Sequence, residues 1–320
     1  MGSAKPVVCI VTPGTRTANN GNWRTAARWA DMLRGRCRII VQTEWDGRPA
    51  DAMVALHAHR SAASVATFRD RAPGAAVAVM LTGTDLYRDL PGSREARASL
   101  DLASHIVTLQ EDALNFLEPR WRAKTRVIFQ SARPLRAAAK AKARLDCVAA
   151  GHLRAVKDPR TLIEAIARVP RELPVHVRHF GAPLDAELGA EAFAMQAHDR
   201  RYRYHGAQPH GLVRSAIKAA HLLIHPSLME GGANVVVEAV TSGTPVLASR
   251  VSGNVGMLGA RYPGYFEPGD AAGLAALLVR ALKEPAYLAR LRSACASRRG
   301  LFSPAAEARA VRRLVAEMLP

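Results

Sequence analysis

The stretch Leu222–Leu247 constrains the fold more than any other part of the chain. Apolar Leu222–Ile224 reads as a buried strand, Gly231-Gly232 breaks the pattern, and Ala233–Val240 reads as a helix. Gly243-Thr244-Pro245-Val246-Leu247 then starts another apolar strand at once. Strand, glycine turn, helix and strand in such short order make a βαβ unit. The start of its helix suits a phosphate, because unpaired amides and the helix dipole both favour an anion there. Glu230 stands just before the turn, and Glu238 lies about two turns down the helix. One carboxylate can therefore reach each flank of a diphosphate held at the helix start. That arrangement would accept sugar hydroxyls at one end and ribose hydroxyls at the other. A bare pair of glutamates is ordinarily surface charge; the glycine turn after a strand is what argues for a site.

The same alternation fills the chain. In the first half the expected strands are Val7–Val11, Arg38–Gln42, Met53–His57, Ala76–Leu81, His105–Leu109 and Thr125–Phe129. In the second half they are Cys147–Gly151, Val175–Phe180, Tyr202–Gly206, Leu222–His225, Pro245–Ser249 and Tyr265–Phe266. Helical patterns lie between most of them, which predicts doubly wound parallel sheets. The basic stretch Ser131–Arg144 has little apolar periodicity and reads as a linker. It separates an expected first domain, 1–135, from a second, 136–303. The last helix, Pro304–Leu319, is amphipathic, with Arg309, Arg312 and Arg313 on its polar side.

Ligands of open α/β sheets bind at strand carboxyl ends, so the loops there are the candidates. Thr12–Asn22 holds Asn19-Asn20-Gly21-Asn22 before a helix, flanked by Arg16 and Arg24. Gly21 permits close backbone approach to a ligand, although Asn-Asn-Gly-Asn is also ordinary turn chemistry. His57-Ala58-His59-Arg60 is expected to put two histidines on one strand face, beside an arginine. A metal would need more ligands than that, so satisfied interior histidines are the simpler expectation. Thr82–Asp89 follows an apolar strand with Thr84 and Asp85 in it. Gly151–Pro159 precedes a helix and carries Arg154 and Lys157.

The composition excludes several classes. A formal net charge of +18 favours anionic partners, yet only 5% of residues are aromatic and no zinc-finger, RNP or basic-zipper pattern occurs, so no nucleic-acid partner is expected. The cysteines, Cys9, Cys37, Cys147 and Cys295, are far apart and suggest neither zinc nor a disulfide framework. No apolar run approaches the roughly 20 residues that span a bilayer, and Met1–Pro6 lacks the core of a signal peptide, so an integral membrane segment is not expected and a cytoplasmic location is. Without Gly-x-Gly-x-x-Gly after the first strand or a Gly-x4-Gly-Lys-Ser/Thr, a dinucleotide cofactor or P-loop chemistry is disfavoured. Asp-x-Asp is missing too, so helix amides, Arg154 and Lys157 are expected to meet diphosphate charge with no metal and no cofactor. The sequence carries no signal for an oligomeric state.

The segment His225–Thr244 resembles the donor-binding motif of retaining GT-B glycosyltransferases of family 4, the Glu-x7-Glu type. That resemblance implies an α/β GT-B fold of two facing Rossmann-like domains, with residues 304–320 forming a helix that crosses back to the first. It places Glu230 on the donor sugar, Glu238 on the ribose, and the Gly231, Gly232, Ala233 and Asn234 backbone at phosphate or sugar. It places Gln208, in Gly206–Pro209, near the base, and Arg154 and Lys157 on the diphosphate, with Glu230, Lys157 and Arg154 as the catalytic group. Thr82 stands where many members carry His, and His152 where Arg is commoner. The combined signature of Asn19–Thr25, Leu56–Ser61, Leu81–Asp89 and Gly253–Met257 is similar to the selenosugar synthases of selenoneine biosynthesis. This branch implies transfer from UDP-N-acetylglucosamine or UDP-glucose to selenophosphate, with Asn20, Gly21, Arg24, Arg60 and Thr84 at the acceptor. Two alternatives stay open: an ordinary family-4 enzyme acting on a carbohydrate or lipid hydroxyl, and a non-catalytic binding protein.

Overall fold

Among the described residues, twelve short strands pair into two six-stranded sheets, every strand parallel to its neighbours. The computed structural model describes residues 5–15, 21–136 and 138–319. The chain divides into two compact units, one of residues 1–130 with 304–320 and the other of 131–303. The first division falls slightly ahead of the expected 135/136 boundary.

In the first unit the strands are β1 (Val7–Val11), β2 (Arg38–Gln42), β3 (Ala52–Leu56), β4 (Ala76–Met80), β5 (His105–Thr108) and β6 (Thr125–Val127). Their order is β2-β1-β3-β4-β5-β6. Helices α1 (Gly21–Leu33), α2 (Ala62–Arg71), α3 (Arg94–Leu102) and α4 (Pro119–Arg122) lie between or beside them. Because side chains alternate across a strand, Cys9 and Val11 of β1 enter one core with Phe68, Leu100 and Trp121, while Val8 and Ile10 enter the other with Trp29 and Leu33. Both faces are covered, so β3 is buried along its whole length and needs no polar alternation.

The second unit repeats the scheme with β7 (Leu145–Ala150), β8 (Val175–Phe180), β9 (Tyr202–Tyr204), β10 (Leu222–His225), β11 (Val246–Ser249) and β12 (Tyr265–Phe266). Their order is β12-β11-β10-β7-β8-β9. Helices α5 (Pro159–Arg168), α6 (Ala186–His198) and α7 (His210–Ala219) come first. They are followed by α8 (Asn234–Thr241), α9 (Ser252–Leu258), α10 (Ala271–Lys283) and α11 (Pro285–Arg298). Asp158, Asp185 and Asp270 cap α5, α6 and α10 with side-chain oxygens that accept from first-turn amides. The expected linker belongs to this unit. The Lys140 ammonium donates to the carbonyls of Lys218 and Ala220 at the end of α7, and burial lowers its pKa to about 8.

Helix α12 (Pro304–Met318) packs in the first unit, where Val311, Leu314, Val315 and Met318 join the core of Val8 and Ile10. Arg309, Arg312 and Arg313 are exposed on its outer side, as their spacing suggests. Glu307 is buried, at 1% exposure, and both its oxygens accept from Arg28 Nε at 2.8 and 3.0 Å. Trp29 Nε1 donates to the same carboxylate at 3.0 Å. Among the described residues no helix is long and apolar enough to cross a membrane.

Several strands end earlier than their apolar runs suggest. β3 stops at Leu56 because His57 turns the chain with a φ of 74°, so the expected shared strand face for His57 and His59 does not exist. His57 is buried and His59 is exposed, with its Nδ1 2.9 Å from Ser93 Oγ.

Candidate functional site

The carboxyl ends of β7, β8 and β10 bring three glycine-bearing loops together in the second unit. Gly181, after β8, has a φ of 154°, and a Cβ there would lie 1.9 Å from the Gly151 carbonyl oxygen. Only glycine allows that approach, which sets the loop after β7. His152 does not extend a cation from this loop: its Nδ1 accepts from the Ala182 amide at 3.0 Å. Residues Ala155–Lys157 form a single 3₁₀ turn, and Asp158, in the left-handed region at φ 46°, swings the chain into α5. The Val156 carbonyl accepts from Leu228 N at 3.0 Å, tying this turn to the loop after β10.

That tie sets Lys157 against Glu230. Lys157 Nζ donates to Glu230 Oε1, and His225 Nε2 lies 3.1 Å from the same oxygen without making a well-aligned hydrogen bond. Glu230 is 9% exposed and His225 3%. Burial works against ionisation of the carboxyl, but the Lys157 ammonium and the His225 ring outweigh it and hold Glu230 well below the usual carboxylate range. Glu230 is therefore a charged, pre-oriented acceptor. Arg154 is exposed, with no ion-pair partner among the described residues. Lys157 and Arg154 come from the same unit as the glutamates, so Lys157 reaches its partner across a loop.

Helix α8 begins at Asn234, with Gly231 and Ala233 buried and Gly232 partly so. The amides of Gly232 and Asn234 have no acceptor among the described residues. Ala233 N is different: it donates to Met257 Sδ at 3.2 Å, so the expected set of open amides is smaller by one. A thioether is a weak acceptor. Glu238, 8% exposed, pairs with His210 Nε2 at 2.6 Å. Gln208 is exposed and turns back to donate to the His205 carbonyl at 2.8 Å. A small cavity of about 20 Å³ opens beside this group, lined among others by Gly151, Lys157, His179, His225 and Ser227.

Sequence reasoning passed over His210 and His225, because a histidine at a helix start or strand end carries no local signal of its carboxylate partner. Gly253 enters the sequence reading only as part of a signature. It sits in the first turn of α9 against the Glu230 backbone, and a glycine opening a short helix was the available signal.

In the first unit the described acceptor candidates follow the neighbouring strands β1, β3 and β4 in the chain. Gly21 opens α1 and is part of the helix. Arg24 lies half-buried on the same helix. Asn20, with Arg16 and Asn19, lies outside the described residues. Arg60 is exposed, and its amide donates to His57 Nδ1 at 3.3 Å. That bond leaves the proton on Nε2, which lies 3.1 Å from Thr84 Oγ1. The Asp85 carboxylate is fully buried and accepts from the amides of Ala58, Thr82 and Gly83 at 2.8–3.0 Å, so it builds the loop and does not face a ligand. The structure thus joins Arg60's loop to Thr84 through His57. No cluster of three His, Cys, Asp or Glu side chains able to hold a metal occurs among the described residues.

Solved structures share this architecture. The chain is similar to HepE from Anabaena, solved in complex with UDP and glucose, with a TM-score of 0.76 and 15% identity over 98% of this chain and 100% of that one. It is similar to sucrose-phosphate synthase from Thermosynechococcus elongatus, with a TM-score of 0.76 and 18% identity over 98% and 99%. The pneumococcal O-GlcNAc transferase GtfA, in complex with UDP and GlcNAc, gives a TM-score of 0.66 and 17% identity over 83% and 57%. Two six-stranded parallel-sheet units of this kind define the GT-B fold. Among curated proteins, no sequence matches the chain. The family model "Glycosyl transferases group 1" matches residues 135–298, and the chain belongs to that family of glycosyltransferases.

Proposed function

We propose that the chain transfers a sugar from a UDP-sugar to selenophosphate, with the donor held in the second unit. The observation that carries the donor half is the placing of Glu230 and Glu238 on either side of the α8 start, each carboxylate already held by a partner. Between them lie the open amides of Gly232 and Asn234. A diphosphate at the helix start would meet those amides and the dipole. Glu230 would accept hydroxyls of the sugar and Glu238 those of the ribose. As the bond to the anomeric carbon breaks, negative charge grows on the departing UDP. Lys157 and Arg154 stabilise that charge more in the transition state than before it, which is what accelerates the step. With cations and amides serving this purpose, no metal is required.

The acceptor half rests on the likeness of the first-unit loops to selenosugar synthases, with Gly21, Arg24, Arg60 and Thr84 as the described acceptor residues. Arginines there suit a small anion. Selenium attacks the anomeric carbon, so a carbon–selenium bond forms while the carbon–oxygen bond to UDP breaks and UDP keeps the electron pair. Water then cleaves the phosphorus–selenium bond, giving phosphate and the selenosugar. Selenium is a strong nucleophile, so positioning is the protein's main task.

Mass spectrometry of the purified protein with selenophosphate and either UDP-N-acetylglucosamine or UDP-glucose should show a selenosugar together with UDP. Turnover of an alcohol acceptor, with none from selenophosphate, would replace this reading with ordinary transfer to a hydroxyl.

A further inference from the structure

We infer that His210 is a positioning residue for the donor nucleotide: it orients the Glu238 carboxylate that receives the ribose hydroxyls. The inference rests on the reading of Glu238 given above, and it adds a residue and a way of acting.

His210 is the first residue of α7 and directly follows the loop Gly206–Pro209. Glu238 lies in the second turn of α8. Their bond of 2.6 Å therefore ties the loop expected near the base to the carboxylate expected at the ribose. An ionised carboxylate only accepts, so His210 Nε2 must carry the proton and donate it. Oε1 is engaged in this way, and Oε2 has no donor among the described residues. Each carboxylate oxygen can take two hydrogen bonds, so a held Glu238 keeps room for both ribose hydroxyls.

A surface ion pair is the competing account, and such pairs are ordinarily worth little. Here the partners differ in exposure. The Glu238 side chain is 11% exposed while that of His210 is 42% exposed, so the imidazole is a lid on a nearly buried acceptor. No other side chain donates to that carboxylate among the described residues. Without His210 the glutamate would lose the contact that selects one rotamer, and geometry of this kind governs how well a hydroxyl pair is recognised.

Calorimetry with UDP and with 2′,3′-dideoxy-UDP separates the accounts, because only the first presents the hydroxyls. Wild type is expected to prefer UDP by about 30-fold or more. In His210→Ala that preference should fall below about fivefold, with affinity for the dideoxy compound changed less than twofold. His210→Gln, whose amide nitrogen reaches a similar position to Nε2, should keep the preference within about threefold of wild type. Preference that survives in His210→Ala, or that is lost equally in His210→Gln, would overturn the inference while leaving the donor reading intact. A wild-type protein with no preference for UDP would overturn the role of Glu238, and the inference with it.

Discussion

Gly253 packs so closely on Glu230 that a Cβ at Gly253 would lie 1.9 Å from the Glu230 carbonyl oxygen. The first turn of α9 thus braces the backbone of the residue proposed to hold the donor sugar. Gly253→Ala must push that backbone aside, and we expect at least a 100-fold loss of transfer. Gly211, in the first turn of α7, has nothing within 4 Å of its would-be Cβ. Gly211→Ala should leave activity alone and add up to about 1 kcal/mol of stability. Steady-state rates and urea unfolding on the two variants check the contrast.

Lys157→Ala should lower kcat/KM by about 100-fold or more, close to 2.7 kcal/mol of transition-state stabilisation. It should also destabilise the fold by roughly 1–3 kcal/mol, because the carboxylate of Glu230 is left buried without its cation. Lys157→Met combined with Glu230→Gln removes both charges and should recover most of that stability while staying inactive. A single Lys157→Ala variant within twofold of wild type in rate would remove the lysine from the chemistry.

His179 makes edge-on contacts with the rings of Tyr202 and Tyr204, and burial lowers its pKa to about 4. A histidine that resists protonation when folded adds stability that is complete above about pH 6.5 and is lost as the pH falls toward 4. His179→Asn keeps a partner for the Tyr202 hydroxyl, which sits 2.7 Å from His179 Nδ1, and removes the titration. Denaturant unfolding from pH 7 to 4 should show a shallower decline for the variant, by up to one proton. Parallel curves would mean that the ring is not held neutral.

Glu307→Ala strips the acceptor from both Arg28 and Trp29 and should cost roughly 2–4 kcal/mol. Glu307→Gln keeps an acceptor and should cost less. Thermal unfolding of the two variants gives the order directly.

The strands were easy to read because sheets covered on both faces are built from nearly continuous apolar runs, as in β3. Their ends were not, since a residue such as His57 leaves the strand for reasons set by Thr84 and Asp85 further along the chain. Glu230 and Glu238 were legible from the glycine turn that separates them. Their partners were harder to see. His210 is 28 residues from Glu238 and Lys157 is 73 from Glu230, distances over which no local pattern speaks. Glu307 was hidden for another reason: an acid among arginines on an amphipathic helix looks solvated until its two donors, near the other end of the chain, are in place.

That last pairing gives the folding of this protein an order in time. The donors on α1, Arg28 and Trp29, leave the ribosome 279 and 278 residues before the carboxylate that satisfies them. At ordinary synthesis speeds the wait is on the order of 15–60 s. Throughout it, the indole of Trp29 and the apolar wall behind it lack their final cover, so the half of the molecule that is made first is the last to be closed.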